Sequence, residues 1–173
     1  MPLREQRFAV AAAPAELWRF LRDFAALCAC IPGVEQLEVR DERHLRLKVR
    51  ENLGVVPLVV DLQAEIESEE PGRRLRALAR AEHLTMHIEV ELVPDASGTL
   101  LHTRFEVSGS GPLKPVVDRL FEKRAAERGA RFAACLQERF AAAPPTPPAA
   151  PARALPWWRR LLRWFTRPSR PSS

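Results

Sequence analysis

The stretch MHIEVEL, residues 86–92, sets Met86, Ile88, Val90 and Leu92 in one phase and His87, Glu89 and Glu91 in the other. A period of two sends alternate side chains to opposite faces of a strand. One face is then apolar and the other charged, the pattern of an antiparallel sheet that buries one side and wets the other. Neighbouring segments repeat it. Leu45, Leu47 and Val49 alternate with Arg46, Lys48 and Arg50, and Val60, Leu62, Ala64 and Ile66 alternate with Asp61, Gln63 and Glu65. Leu75, Ala77 and Ala79 alternate with Arg74, Arg76 and Arg80, Leu78 breaking the pattern, and Phe105 and Val107 alternate with Arg104, Glu106 and Ser108. The turn clusters Glu70-Pro71-Gly72 and Asp95-Ala96-Ser97-Gly98 separate successive strands.

Helical signals flank this run. Phe8, Val10 and Ala12 read as a short first strand, after which Pro14 opens a helix with Leu17, Phe20, Leu21 and Phe24 at helical spacing. Pro32-Gly33 stops a following short helical piece, and Gly109-Ser110-Gly111-Pro112 ends the last strand. From Leu113 to Phe140 the period returns to helical, with Val117, Leu120, Phe121, Ala125, Phe132, Leu136 and Phe140 along one stripe. A helix of that length measures about 40 Å, enough to cross a curved sheet and cover its dry face. The order predicts an α+β fold, a curved antiparallel sheet wrapped around a long C-terminal helix.

The chain has 173 residues, and residues 1–142 form one domain's worth. A domain of that size buries roughly two-thirds of its unfolded surface and needs no disulfide or metal. The three cysteines, Cys28, Cys30 and Cys135, are expected as buried or partly buried free thiols. Met1 to Ala11 mixes charges of both signs and has no apolar core, so no cleaved export signal is expected and a reduced compartment fits.

Residues 143–156 collapse to Ala and Pro, an extended linker reaching about 40 Å. Residues 157–167 follow as a short helix, and 168–173 as a disordered end. On a helical projection Trp157, Trp158, Leu161, Leu162, Trp164 and Phe165 share one side, while Arg159, Arg160, Arg163 and Arg167 share the other. Its ~18 Å falls short of the ~30 Å hydrocarbon core, so it cannot span. An in-plane helix at an anionic membrane surface fits best; docking into a partner protein's groove would use the same face. Nucleic acid is disfavoured, because aromatics and arginines fall on opposite sides. All the basic excess lies here: from Pro144 onward there are six arginines and no acid.

Chemistry-bearing constellations are sparse. His83 and His87, at strand spacing, would sit too far apart to share an ion, and no metal site is expected. There is no nucleophile elbow, no phosphate-binding loop and no tyrosine. Glu35, Asp61 and Glu91 are acid–base candidates only if they face inward, and Asp61 and Glu91 occupy the polar phase. The apolar phase mixes small and large side chains, which suits either an ordinary core beneath the helix or a cavity left open for an apolar ligand.

A family resemblance rests on FAVAAAPAELWRFLRDFAALCACIPGVEQLEV, Phe8 to Val39, and above all on Cys30-Ile31-Pro32-Gly33 within it. Asn52-Leu53-Gly54-Val55-Val56, Ser97-Gly98-Thr99 and Gly109-Ser110-Gly111-Pro112-Leu113 add Gly-containing loops in matching places. On these residues the chain, from about Leu3 to Phe140, resembles the helix-grip fold of the START-like (SRPBCC) superfamily, and within it the carbon-monoxide dehydrogenase G-subunit family. It departs from that pattern at RALARAEHLTMHIEV, where relatives often carry a glycine-rich strand.

The resemblance implies a cavity between sheet and helix. Its expected lining is Phe24, Leu47, Val49, Leu62 and Ala64; Leu75, Ala77, Ala79, Met86, Ile88 and Val90; and Phe105, Val107, Val117, Leu120 and Phe121. It also implies a non-catalytic accessory protein on the inner face of the cell membrane, handling quinone or a similar isoprenoid lipid beside a molybdenum-containing CO-dehydrogenase-like enzyme. No covalent cofactor is expected, and a bound quinone is the implied ligand. A membrane tether without a ligand and a cyclase-type enzyme are the alternatives.

Overall fold

In the computed structural model the described residues are 3–53 and 55–141. The linker 143–156, the tail Trp157–Phe165 and the end 168–173 lie outside them. Seven antiparallel strands form one curved sheet in the order β1-β7-β6-β5-β4-β3-β2. They are β1 (Leu3–Val10), β2 (Val34–Val39), β3 (His44–Leu53), β4 (Val56–Glu70), β5 (Arg74–Ala81), β6 (Leu84–Asp95) and β7 (Gly98–Gly109). Helices α1 (Pro14–Arg22) and α2 (Phe24–Ala29) connect β1 to β2, and α3 (Lys114–Arg139) follows β7 after a short 3-10 turn. This is the α+β helix grip expected from the two periodicities.

The register places the apolar phase on the concave face. Ile66, Ala77, Ile88 and Phe105 lie in one row across β4 to β7, and Ala64, Ala79, Met86 and Val107 in the next. The convex face is charged and self-paired. Arg76 bonds Glu89 at 3.1 Å, Arg74 lies 3.4 Å from Glu91, and Arg104 lies 3.8 Å from Glu5.

Two local breaks differ from the sequence expectation. The single helix expected from Pro14 through Phe24 is interrupted at Asp23, whose side chain accepts a hydrogen bond from Ala26 N at 3.1 Å and caps α2. Strand β2 carries no period of two, because a bulge between Val34 and Gln36 shifts its register. Gly33 makes the corner ahead of it with φ +85°, where a Cβ would fall 2.6 Å from Arg50 O.

The cysteines correct the expectation of three free thiols. Cys30 and Cys135 form a disulfide with Cα atoms 5.6 Å apart across 105 residues of sequence. The Cys30 end of α2 and the last turns of α3 are brought side by side, which spacing along the chain does not reveal. Cys28 alone is free; it is buried, and desolvation pushes its thiol up to about 11.

The tightest packing lies at this same end. Leu17, Leu101, Leu136 and Val10 are completely buried. Phe140 meets Phe20 edge-on at 5.5 Å, Phe132 meets Phe8 at 6.3 Å, and Gln137 donates to Ala9 O at 3.2 Å. Thr99 Oγ1, also buried, donates to Ala12 O at 2.7 Å and ties the start of β7 to the turn before α1.

Candidate functional site

Helix α3 packs on β7 and β1, so the concave faces of β3 to β6 are covered unequally. Leu47, Val49, Leu62, Leu75, Ala79 and Val90 belong to the packed core together with Phe24. Ala64, Ala77, Met86 and Ile88 are half-buried against it. Val107 is buried beside the Gly109 end of β7, where a Cβ on Gly109 would come within 3.0 Å of Val117. Phe105, Val117, Leu120 and Phe121 are half-buried and stand outside the packed cluster. The first half of α3 therefore roofs the apolar face without closing onto it.

At that loosely covered end a cleft of about 380 Å³ opens between the end of β3 and the first turns of α3. It is lined by Asn52, Pro115, Val116, Arg119, Leu120, Lys123 and Arg124. Of the sixteen lining residues named from sequence, Leu120 lines this cleft and the other fifteen do not. The polar rim escaped sequence reasoning because a cleft between a strand end and a helix has no periodic signature.

Four of the seven lining residues, Asn52, Arg119, Lys123 and Arg124, are polar or charged. Arg128 of α3 pairs with Glu51 of β3, and Arg124 Nη2 reaches Asn52 O at 3.5 Å, so two arginines join the helix to the hairpin base. Arg124 Nε is buried and, among the described residues, has no hydrogen-bond partner; Thr103 Oγ1, on the concave face of β7, is in the same position. A buried donor left unpaired is costly, and an oxygen of a bound molecule would satisfy it.

The three candidate acids all turn away from this space. Glu35 pairs with Arg50, and Asp61 with Arg46 on the convex face. The Arg46 hydrogen bond holds Asp61 below the usual carboxylate range despite some desolvation. Glu91 sits between Arg74 and His102, again on the convex side. None is positioned for acid–base work on a molecule in the cleft.

Residues 7–141 match the family model for CoxG, the G subunit of carbon monoxide dehydrogenase. The chain belongs to the CoxG family. Solved structures share the fold at low identity. A conserved protein from Geobacillus kaustophilus is 19% identical, covering 81% of this chain and 95% of its own, with a TM-score of 0.71. A START superfamily protein from Mycobacterium smegmatis is 20% identical, covering 80% and 96%, with a TM-score of 0.64. A protein from Thermus thermophilus is 19% identical, covering 80% and 97%, with a TM-score of 0.62. No curated protein matches the sequence.

CoxG membership makes this chain an accessory protein of the CoxG type rather than an enzyme, and the solved structures share its helix-grip fold. Among the described residues no helix is long and apolar enough to cross a membrane.

Proposed function

We propose that the protein is a carrier for an apolar ligand, a quinone or similar isoprenoid lipid, working at the inner face of the cell membrane. The observation that carries this reading is the half-buried apolar group of β7 and the first half of α3, Phe105, Val117, Leu120 and Phe121, with the cleft beside Leu120. The half-buried apolar side chains would suit an isoprenoid chain, and the unpartnered Arg124 Nε is a donor for a ring carbonyl oxygen. Carriage needs no covalent step. The tail Trp157, Trp158, Arg159, Arg160, Leu161, Leu162, Arg163, Trp164 and Phe165 would hold the domain at anionic lipid through the 143–156 linker. The family name supports delivery to a molybdenum-type CO-dehydrogenase-like oxidoreductase.

The test is flotation of full-length protein and of a chain ending before Pro144 with anionic liposomes, combined with mass spectrometry of organic extracts from both. The expected result is flotation of the full chain only, with an isoprenoid lipid recovered from both. Equal flotation overturns the anchor. Lipid-free extracts, together with a partner enzyme that reduces added quinone at full rate without this protein, favour a ligand-free tether.

A further inference from the structure

The β3–β4 hairpin and the first turns of α3 leave apolar side chains in water that nothing in the described fold covers. Val55 is 98% exposed, Val56 59% and Val59 48%, and beside the same cleft Val116 is 44% and Leu113 41% exposed. Single exposed apolar residues are ordinary; a group gathered at one end of a domain marks an interaction surface. Ligand binding accounts for only part of it. Leu58 pairs with Glu51 in the concave phase, whereas Val59 pairs with Arg50 in the convex phase. The hairpin is thus apolar on both faces, unlike Leu45 to Arg50 of β3 and Val60 to Ile66 of β4, where apolar and polar residues alternate.

Charge decides the occupant. From Asn52 to Val60 the hairpin carries no charged residue. Next to it, Val116, Arg119, Leu120 and Lys123 recur at helical spacing on the cleft side of α3. Lys114 and Arg124 of the same helix pair with Asp118 and Glu127, while Arg119 and Lys123 make no ion pair among the described residues. An uncharged apolar tip flanked by unpaired cations matches the headgroup region of an anionic bilayer, where apolar groups sink about 5–10 Å and cations meet phosphate.

We infer that the hairpin tip, with Leu113 and Val116, dips into an anionic lipid surface while Arg119 and Lys123 meet its phosphates, so that the cleft opens onto the bilayer. This rests on the proposed reading that the domain works at a membrane, and it adds a second contact, made by the folded domain itself. A ligand would then pass between bilayer and cleft without crossing water.

The test uses the full chain with an environment-sensitive fluorophore on Val55→Cys, and on Lys48→Cys of the convex face as control. Cys28 is buried and the other two cysteines are paired, so the new thiol is the one labelled. On phosphatidylcholine–phosphatidylglycerol vesicles the Val55 probe should shift to the blue and be quenched by nitroxide lipid, and the Lys48 probe should do neither. Val55→Asp with Val56→Asp, in the intact chain, should weaken vesicle binding about tenfold. A water-like Val55 probe on vesicle-bound protein overturns the inference and leaves the tail anchor standing. A blue shift that persists in a Trp157→Ala, Trp158→Ala chain supports the inference and removes the tail. A blue shift without vesicles assigns the surface to a second copy of the chain and overturns the lipid assignment.

Discussion

The two halves of α3 are built to different purposes. Toward Arg139 the helix is clamped: Leu136 is fully buried, Phe132 and Phe140 meet β1 and α1 edge-on, and Cys135 is bonded to Cys30. Toward Lys114 it carries half-buried Val117, Leu120 and Phe121 over the sheet and is joined to β3 by Arg124 and Arg128. One end is closely packed, and the other is only partly buried. Leu136 is packed as tightly as a core residue, and Val117, Leu120 and Phe121 are not.

The contrast can be broken by mutation. Leu136→Ala should destabilise the protein by about 2–5 kcal/mol in chemical denaturation, and Leu120→Ala by less than about 1 kcal/mol. Equal losses at the two positions would dissolve the distinction. Cys135→Ser, or reduction by thiol, should lower stability by about 2–4 kcal/mol, because the bond closes a loop spanning 105 residues of sequence. An unchanged denaturation midpoint would show that packing alone holds the clamped end. This bears on location too: a reducing compartment keeps such a pair open, and Phe20, Phe140 and Leu136 would then carry the clamp.

A smaller effect sharpens the contrast from the open side. Ala77→Phe places bulk on the concave face opposite Ile88 and should lower ligand affinity about tenfold while the fold is kept. Unchanged affinity would move the ligand out of the sheet face. The smallest effect belongs to the convex surface. Arg46 holds Asp61 below the usual carboxylate range, so this pair's contribution is present above about pH 4 and is lost as pH falls through the lowered value. The stability difference between wild type and Asp61→Asn should shrink on acidification; a difference that grows would contradict the pairing.

Much of the fold was legible because alternation survives wherever one face is wet. Leu45 to Arg50, Val60 to Ile66 and Met86 to Leu92 all announce their concave side, and the sixteen named residues follow from that phase and from the resemblance. What escaped reading lacked a period. Strand β2 hides behind its bulge, Val55 to Val59 form a continuous apolar run, and Asn52, Arg119, Lys123 and Arg124 meet only because a strand end faces a helix start. Cys30 and Cys135 find each other through tertiary packing, which no local pattern encodes.

The central claim is that the space under the first half of α3 holds an apolar ligand. Equilibrium dialysis of the full-length protein against a short-chain ubiquinone measures it most directly. The account expects saturable binding of one molecule per chain, weakened by Ala77→Phe and by Arg124→Met. Binding that never saturates, or that ignores both substitutions, would contradict it.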